Sequence, residues 1–214
     1  MNLWAFAMKL PAILLAITVH EYAHGRAAAM LGDPTARMQG RLTLNPLHHL
    51  DPMGFLCLLL AGFGWAKPVP VNPVYFAHPA RGMMLSSAAG PVANLASAVA
   101  CGVLLRVIGG GEGMVAQLLA MGLFYNVTLA LFNLLPVPPL DGSHVLKGLL
   151  PARLALAFSR YDRVLMYGLF GVIVLDALFD THIIGRVLMG PTFDVFRWLG
   201  GREGAVALMR AFGL

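Results

Sequence analysis

Charge is what this chain has least of. Asp and Glu account for 10 of its 214 residues and Lys and Arg for 15, a charged share of 12%, roughly half that of an ordinary globular domain. So sparse a set of charges does not solvate a water-soluble globule of this size, which excludes a soluble enzyme. Cysteine is also scarce. Cys57 and Cys101 each sit inside an apolar run, without CxxC spacing or a neighbouring His; they read as small buried hydrophobes, not as a disulfide or a thiolate metal site. The basic residues form no stripe. A net charge of +5 and a pI near 9.6 come from Lys and Arg scattered at segment ends, which suits anionic lipid headgroups and excludes nucleic acid as a partner. Internal repeats, low-complexity segments and long polar linkers are all missing, which leaves no room for a separate soluble module and points to one membrane-embedded domain over residues 1–214.

What is present is apolar: 58% of residues are hydrophobic and the mean hydropathy is +0.75. The expected fold is an all-α polytopic membrane protein with about four full transmembrane helices, a short half-spanning segment and a small membrane-associated β-hairpin. Leu3 to Leu31 is long enough to span the roughly 30 Å hydrocarbon core at about 1.5 Å per residue. A signal peptide would not carry His20, Glu21 and His24 in its C-terminal half, so this segment is expected to stay in the mature protein. Gly32-Asp33-Pro34 stops the helix, and the alternation of Met38, Gly40, Leu42 and Leu44 predicts a strand or hairpin over Ala36 to Leu44. Met53 to Trp65 is too short to cross upright, and Lys67-Pro68-Val69-Pro70-Val71-Asn72-Pro73 cannot be helical; together they predict a half-span that returns to its own side.

Gly82 to Ile108 is the second expected span, interrupted at Gly90-Pro91 and ended by Gly109-Gly110-Gly111. Met114 to Leu135 is the third and Tyr161 to Ile184 the fourth. From Pro191 onward, Phe193, Phe196, Trp198 and Leu199 among Arg197, Arg202 and Arg210 predict an amphipathic interfacial tail, with a short span as the alternative. Arg37, Arg41, Lys67 and Arg81 follow the first span, and Lys147, Arg153, Arg160 and Arg163 follow the third. The positive-inside rule therefore puts both ends on the cytoplasmic side.

His20-Glu21-Tyr22-Ala23-His24 is an HExxH motif. On a helix it sets two imidazoles one turn apart on one face, with Glu21 beside them to take a proton from a metal-bound water. Zinc accepts two nitrogens and a carboxylate oxygen and keeps a fourth position for water, whose pKa it lowers toward about 7. Within a span, each ionisable side chain costs roughly 2.5–3.5 kcal/mol and is seldom kept without a role. Carboxylates for the third ligand are few. Asp141 is the best candidate: it follows the helix-breaking Pro136-Val137-Pro138-Pro139, lies at the same depth as the HExxH end, and is backed by Gly142, which permits a tight turn.

HEYAH in the first span, GPVAN from Gly90 to Asn94, and NLLPVPPLDG from Asn133 to Gly142 together resemble the site-2 protease family of intramembrane zinc metalloproteases, peptidase family M50. The likeness is to its small prokaryotic members, which also share stretches similar to Asn45-Pro46 through Asp51-Pro52 and Lys67 through Pro73, and it covers roughly Thr18 to Leu146. The resemblance implies one Zn2+ per chain on His20, His24 and Asp141, Glu21 as catalytic base, and Asn133 and Asn94 binding the substrate backbone. It also implies a membrane-embedded protein or peptide substrate and a multi-pass protein of the prokaryotic cytoplasmic membrane with its active site toward the cytoplasm. The apolar segments themselves divide the chain into a catalytic core over about residues 3–150 and C-terminal helices over about 161–214. No PDZ or CBS-like module is recognisable, and His144, one turn after Asp141, is either a further ligand, a neighbour that orients one, or a plain polar residue at a helix start. Two other classes fit fewer of these residues: a membrane metal-binding or transport protein, which has no use for a base between the histidines, and a catalytically inactive homologue.

Overall fold

The structure is a computed structural model that describes residues 3–61, 64–109, 113–179 and 181–213, without the side chains of residues 3–8, 60 and 61. Among the described residues its regular elements are all helices. Four long helices make the body: α1 (Leu3–Met30), α4 (Pro79–Val107), α5 (Met114–Asn133) and α9 (Ile183–Phe212). Shorter ones connect them: α2 (Thr35–Met38), α3 (Pro52–Ala61), α6 (Asp141–Leu149), α7 (Ala152–Ser159) and α8 (Asp162–Phe179).

Helix α5 is the centre. It packs against α1, α4 and α9, and Ala116, Ala120, Met121, Leu123, Val127 and Ala130 along it are fully or almost fully buried. Helix α4 reaches its neighbours through a stripe of small side chains at every fourth position: Gly82, Ser86, Gly90, Asn94, Ala98 and Gly102, all buried. Small residues let backbones approach closely where apolar driving forces between helices are weak. A spacing of four advances the stripe by about 40° per step on a helix of 3.6 residues per turn. It therefore wraps around α4, facing Phe76 at Gly82, the histidines of α1 at Gly90 and Leu199 of α9 at Gly102. Pro91 does not interrupt this helix; it is buried inside α4. Gly109, at φ 68, follows the helix end, while Gly110 and Gly111 of the expected terminating run lie outside the described residues.

Three further expectations are corrected. The β-hairpin over Ala36 to Leu44 is not found among the described residues. Thr35 N–H donates to Asp33 Oδ1 at 2.9 Å and starts a helical turn, α2, which closes as Arg41 N–H donates to Ala36 O at 2.8 Å. The alternation was misleading because Met38 and Leu44 are exposed, 78% and 61%, so it marks no buried face. The sole β-type pairing described is an isolated bridge between Leu50 and Ala66.

The count of four full spans also falls. Among the described residues two helices, α4 and α5, are long and apolar enough to cross a membrane, and α8 with α9 makes a third only as a pair bent by 95°. The first six residues of α1 lie outside those whose side chains are described, and α8 ends at Phe179, short of the expected Ile184.

The expected interfacial tail is the third correction. From Pro191 it is the body of α9, which kinks at Gly201 (φ 65, ψ −161), a conformation that glycine alone adopts freely. Phe196, Gly200, Gly204, Ala207, Leu208 and Ala211 pack inward on both sides of the kink. Helix α8 by contrast buries none of its residues, and Val164, Tyr167, Val174, Leu178 and Phe179 face outward, as a lipid-facing helix would.

Helix α6 is pressed against the end of α5. A Cβ on Gly142 would stand 2.3 Å from Leu134 O and 2.5 Å from Leu135 O, both backbone atoms. Gly142→Ala should therefore destabilise the protein by about 1–3 kcal/mol, seen as a lower unfolding midpoint in detergent; an unchanged midpoint would contradict this packing.

Candidate metal centre

The HExxH turn of α1 faces Gly90 of α4. There His20 Nε2 and His24 Nε2 stand 3.0 Å apart. Asp141, in the first turn of α6, brings Oδ2 to 3.1 Å from the first and 3.2 Å from the second. The three ligand atoms form a compact group, all within 4.8 Å of one another, and the three side chains expected from sequence to share an ion are the ones brought together. His144, one turn further along α6, is not part of the trio. Burial, with Lys147 beside it, pushes its imidazole below the usual histidine range.

The far side of each imidazole is held. His24 Nδ1 lies 2.7 Å from the Ser86 carbonyl and must donate to it, leaving Nε2 as a lone pair. His20 Nδ1 lies 2.6 Å from Asn94 Oδ1. Asp141 Oδ2 is buried and receives no well-directed hydrogen bond. Three electron-rich atoms thus converge in a buried place without a donor among them, an arrangement that calls for a cation. Tetrahedral zinc with ligands at about 2.0–2.1 Å would set them about 3.3 Å apart, close to the separations seen, so the residues fit zinc.

Glu21, 9% exposed, does not join the trio. Its Oε2 accepts from Val69 N–H at 2.8 Å. Val69 sits between Pro68 and Pro70, so its amide is the one donor of that tripeptide, and it is spent on Glu21. The extended segment that carries it is pinned along its length. Lys67 N–H donates to His49 O at 2.9 Å, Arg41 Nη2 donates to Lys67 O at 2.7 Å, and Asn72 N–H donates to Asp33 Oδ2 at 2.7 Å. Burial opposes ionisation of Asp33, but the Thr35 and Asn72 donors prevail and hold its carboxyl below the usual range.

A cavity of about 230 Å³ opens beside the trio, with His20, Glu21 and Asn133 on its wall among Trp65, Leu129, Phe132 and Phe170. Asn133 gives one N–H to Leu129 O at 3.0 Å and so keeps part of its amide for the cavity. Asn94, expected at the substrate, lies elsewhere: it is fully buried behind His20. Asn126 and the Ser86 carbonyl escaped the sequence reading, and Gly90 and Val69 entered it only as members of the GPVAN motif and of the Lys67–Pro73 stretch. Asn126 carried a legible signal, a polar side chain in the middle of an apolar run.

The peptidase family M50 pattern matches residues 110–175, the stretch holding Asn133 and Asp141. A Bacillus subtilis (strain 168) protein named as a candidate zinc metalloprotease, YwhC, is 38% identical over 208 residues, spanning 93% of this chain and 89% of its own length. The chain belongs to peptidase family M50. Another M50-like relative, Rip2 of Mycobacterium tuberculosis (strain H37Rv), also named as a candidate zinc metalloprotease, is 28% identical over 214 residues, 97% of this chain and 78% of that protein. Rip2 of Mycolicibacterium smegmatis is 35% identical over 147 residues, 64% of this chain and 55% of that protein. No solved structure matches the chain. This M50 member is accordingly a zinc metalloprotease, and its apolar helices make it a membrane protein.

Gly90 gives the geometry a direct test. A Cβ there would stand 2.5 Å from His24 Nε2 and 2.8 Å from His20 Cε1, against the faces that hold the ion. Gly90→Ala should lose most of its zinc, measured by metal analysis of purified protein, while circular dichroism shows the helix content kept; full zinc occupancy would place the ion elsewhere.

Proposed function

We propose that this M50 protease cleaves peptide bonds of transmembrane substrate segments, with one zinc per chain held by His20, His24 and Asp141, and with Glu21 as general base. The observation that carries the reading is the cavity in which Glu21, His20 and Asn133 share one apolar wall. Zinc, when bound, supplies Lewis acidity and lowers the pKa of water at the site. The rest of the work falls to the chain. A helical substrate hides its carbonyls in its own hydrogen bonds and has to unwind before any side chain can reach them. Leu129, Phe132, Leu169, Phe170 and Ile173 on the cavity wall take its apolar side chains and keep bulk water away. The free part of the Asn133 amide hydrogen-bonds the extended backbone beside the scissile bond.

Glu21 has one oxygen tied to Val69 N–H, which fixes the plane of the carboxylate and leaves Oε1 to receive the proton of the attacking water. The same carboxyl then returns a proton to the leaving amine. The site lies toward the cytoplasmic face of a prokaryotic membrane, at the end of α5 where Lys147, Arg153 and Arg160 cluster in the sequence. Residues 1–214 act as one domain, to which α1, α4, α5 and α6 bring the reacting groups.

Cleavage of a transmembrane test substrate by detergent-purified protein is the decisive measurement. Glu21→Gln should keep one zinc per chain and lose at least about 10³-fold in rate, as expected when the base is removed, and Asp141→Ala should lose the zinc. Turnover by Glu21→Gln near the native rate would end the base assignment, and zinc bound without cleavage by native protein would favour the inactive homologue. Val69→Pro deletes the donor to Glu21 without touching a ligand; a hydrogen bond to a charged group is worth about 1.5–3 kcal/mol, so kcat should fall roughly 10- to 100-fold with zinc content and KM little changed. A change confined to KM would mean that the segment serves substrate docking instead.

A further inference from the structure

Two buried amides stand in line behind His20. Asn94 of α4 is 0% exposed and Asn126 of α5 is 1% exposed. Asn94 Nδ2 donates to Ala16 O at 2.9 Å and to Asn126 Oδ1 at 2.8 Å, and Asn126 Nδ2 donates to Gly122 O at 2.8 Å. Both ends of the line are main-chain carbonyls, which only accept. That settles the sense of every bond between them. Asn126 must turn its NH2 to Gly122 O and hence its oxygen to Asn94. Asn94 must spend both N–H groups on Ala16 O and Asn126 Oδ1, and hence turns its own oxygen to His20 Nδ1, 2.6 Å away. An amide oxygen facing Nδ1 accepts a hydrogen bond only from the tautomer that carries its proton there.

We propose that Asn126, acting through Asn94, is a positioning residue that locks the His20 ring in its Nδ1–H form and so presents the Nε2 lone pair to zinc. The inference rests on the zinc reading above. Neither Asn is on the wall of the substrate cavity, where His20 is the one member the line reaches. The alternative use of such a pair is to hold α4 against α5. That use needs the Asn94–Asn126 bond but has no need of Asn94 Oδ1 directed at a ligand. The line also explains why His20 and His24 are held differently. His24 meets a carbonyl of α4 directly, at Ser86, whereas His20 faces a position where a side chain has to provide the oxygen, and that side chain has an amide end that must itself be oriented.

The test uses full-length protein in detergent and zinc alone as probe. Competition with a chelator measures zinc affinity in native protein, Asn126→Leu and Asn126→Asp, with the unfolding midpoint of the metal-free forms recorded alongside. Orienting partners of metal ligands are worth about 10- to 100-fold in affinity, so Asn126→Leu should weaken zinc by that factor, and Asn126→Asp, which keeps the acceptor oxygen for Asn94, should stay within about threefold of native. Selective 15N labelling of histidine reads the tautomer in native zinc-loaded protein, with the signal assigned by its loss in His20→Ala; a proton on Nδ1 of His20 is the result required. Unchanged zinc affinity in Asn126→Leu, or equal weakening in both variants in step with their unfolding midpoints, would reduce the pair to helix packing and overturn the proposal. So would zinc bound through Nδ1, a result that native protein yields even if the Leu variant does not fold. Native protein that binds no zinc would overturn the metalloprotease reading itself, a distinguishable outcome.

Discussion

A polar group buried among apolar helices has to find its partner inside the protein, because the lipid offers none and each failure costs several kcal/mol. In this chain that requirement organises the whole centre of the fold. The Asn94 and Asn126 amides, the Ser86 carbonyl and the Nδ1 atoms of both HExxH imidazoles satisfy one another from α1, α4 and α5, and Glu21 is matched by the Val69 amide. After these bonds are counted, what remains is a set of lone pairs on His20, His24 and Asp141 directed at one point. The need for a cation is thus what is left over once the hydrogen bonding is complete, and it arises where Gly90 lets α4 approach α1 closely.

That approach depends on the stripe of small residues on α4. Gly90 admits the two imidazoles, Asn94 reaches the first of them, and four residues later Ala98 is already part of the apolar core shared with α5 and α9. One helix therefore does two things along its length. Its first half lies against the chemistry and its second half against the packing, because a four-residue spacing on a 3.6-residue helix turns the stripe gradually from one neighbour to the next.

The motifs named the three side chains that come together and said less about the fold. HExxH and Asp-Gly were readable because ionisable groups in apolar runs are few, so each one has to be explained. Asn126 is polar but not ionisable and lies in no motif, so only a search for every lone polar residue at the middle of a span finds it. The hairpin failed for a different reason. Alternation along Met38 to Leu44 resembles a strand only if one face is buried, and what decides the matter is Asp33, whose carboxylate starts a helical turn at Thr35 instead. The tail failed because Gly201 was not seen as a hinge: composition made it look amphipathic, whereas the kink folds Gly204, Ala207 and Ala211 back into the core.

The segment from Lys67 to Pro73 shows how stability and chemistry come to share the same bonds. Irregular backbone beside a bilayer is tolerated only when its polar groups are matched within the protein. Three prolines remove three donors from this stretch outright. Of the donors that remain, Lys67 N–H goes to His49 O, Asn72 N–H to Asp33, and Val69 N–H to Glu21. Two of these partners are structural and one is the proposed base. The bond that solvates the strap is therefore the bond that orients the carboxylate, and Gly25, one residue past the motif, allows the contact, since a Cβ there would stand 3.0 Å from the Val69 side chain. Asp33, Arg41 and His49 thus hold the backbone whose Val69 amide meets the proposed base, although none of them is on the cavity wall.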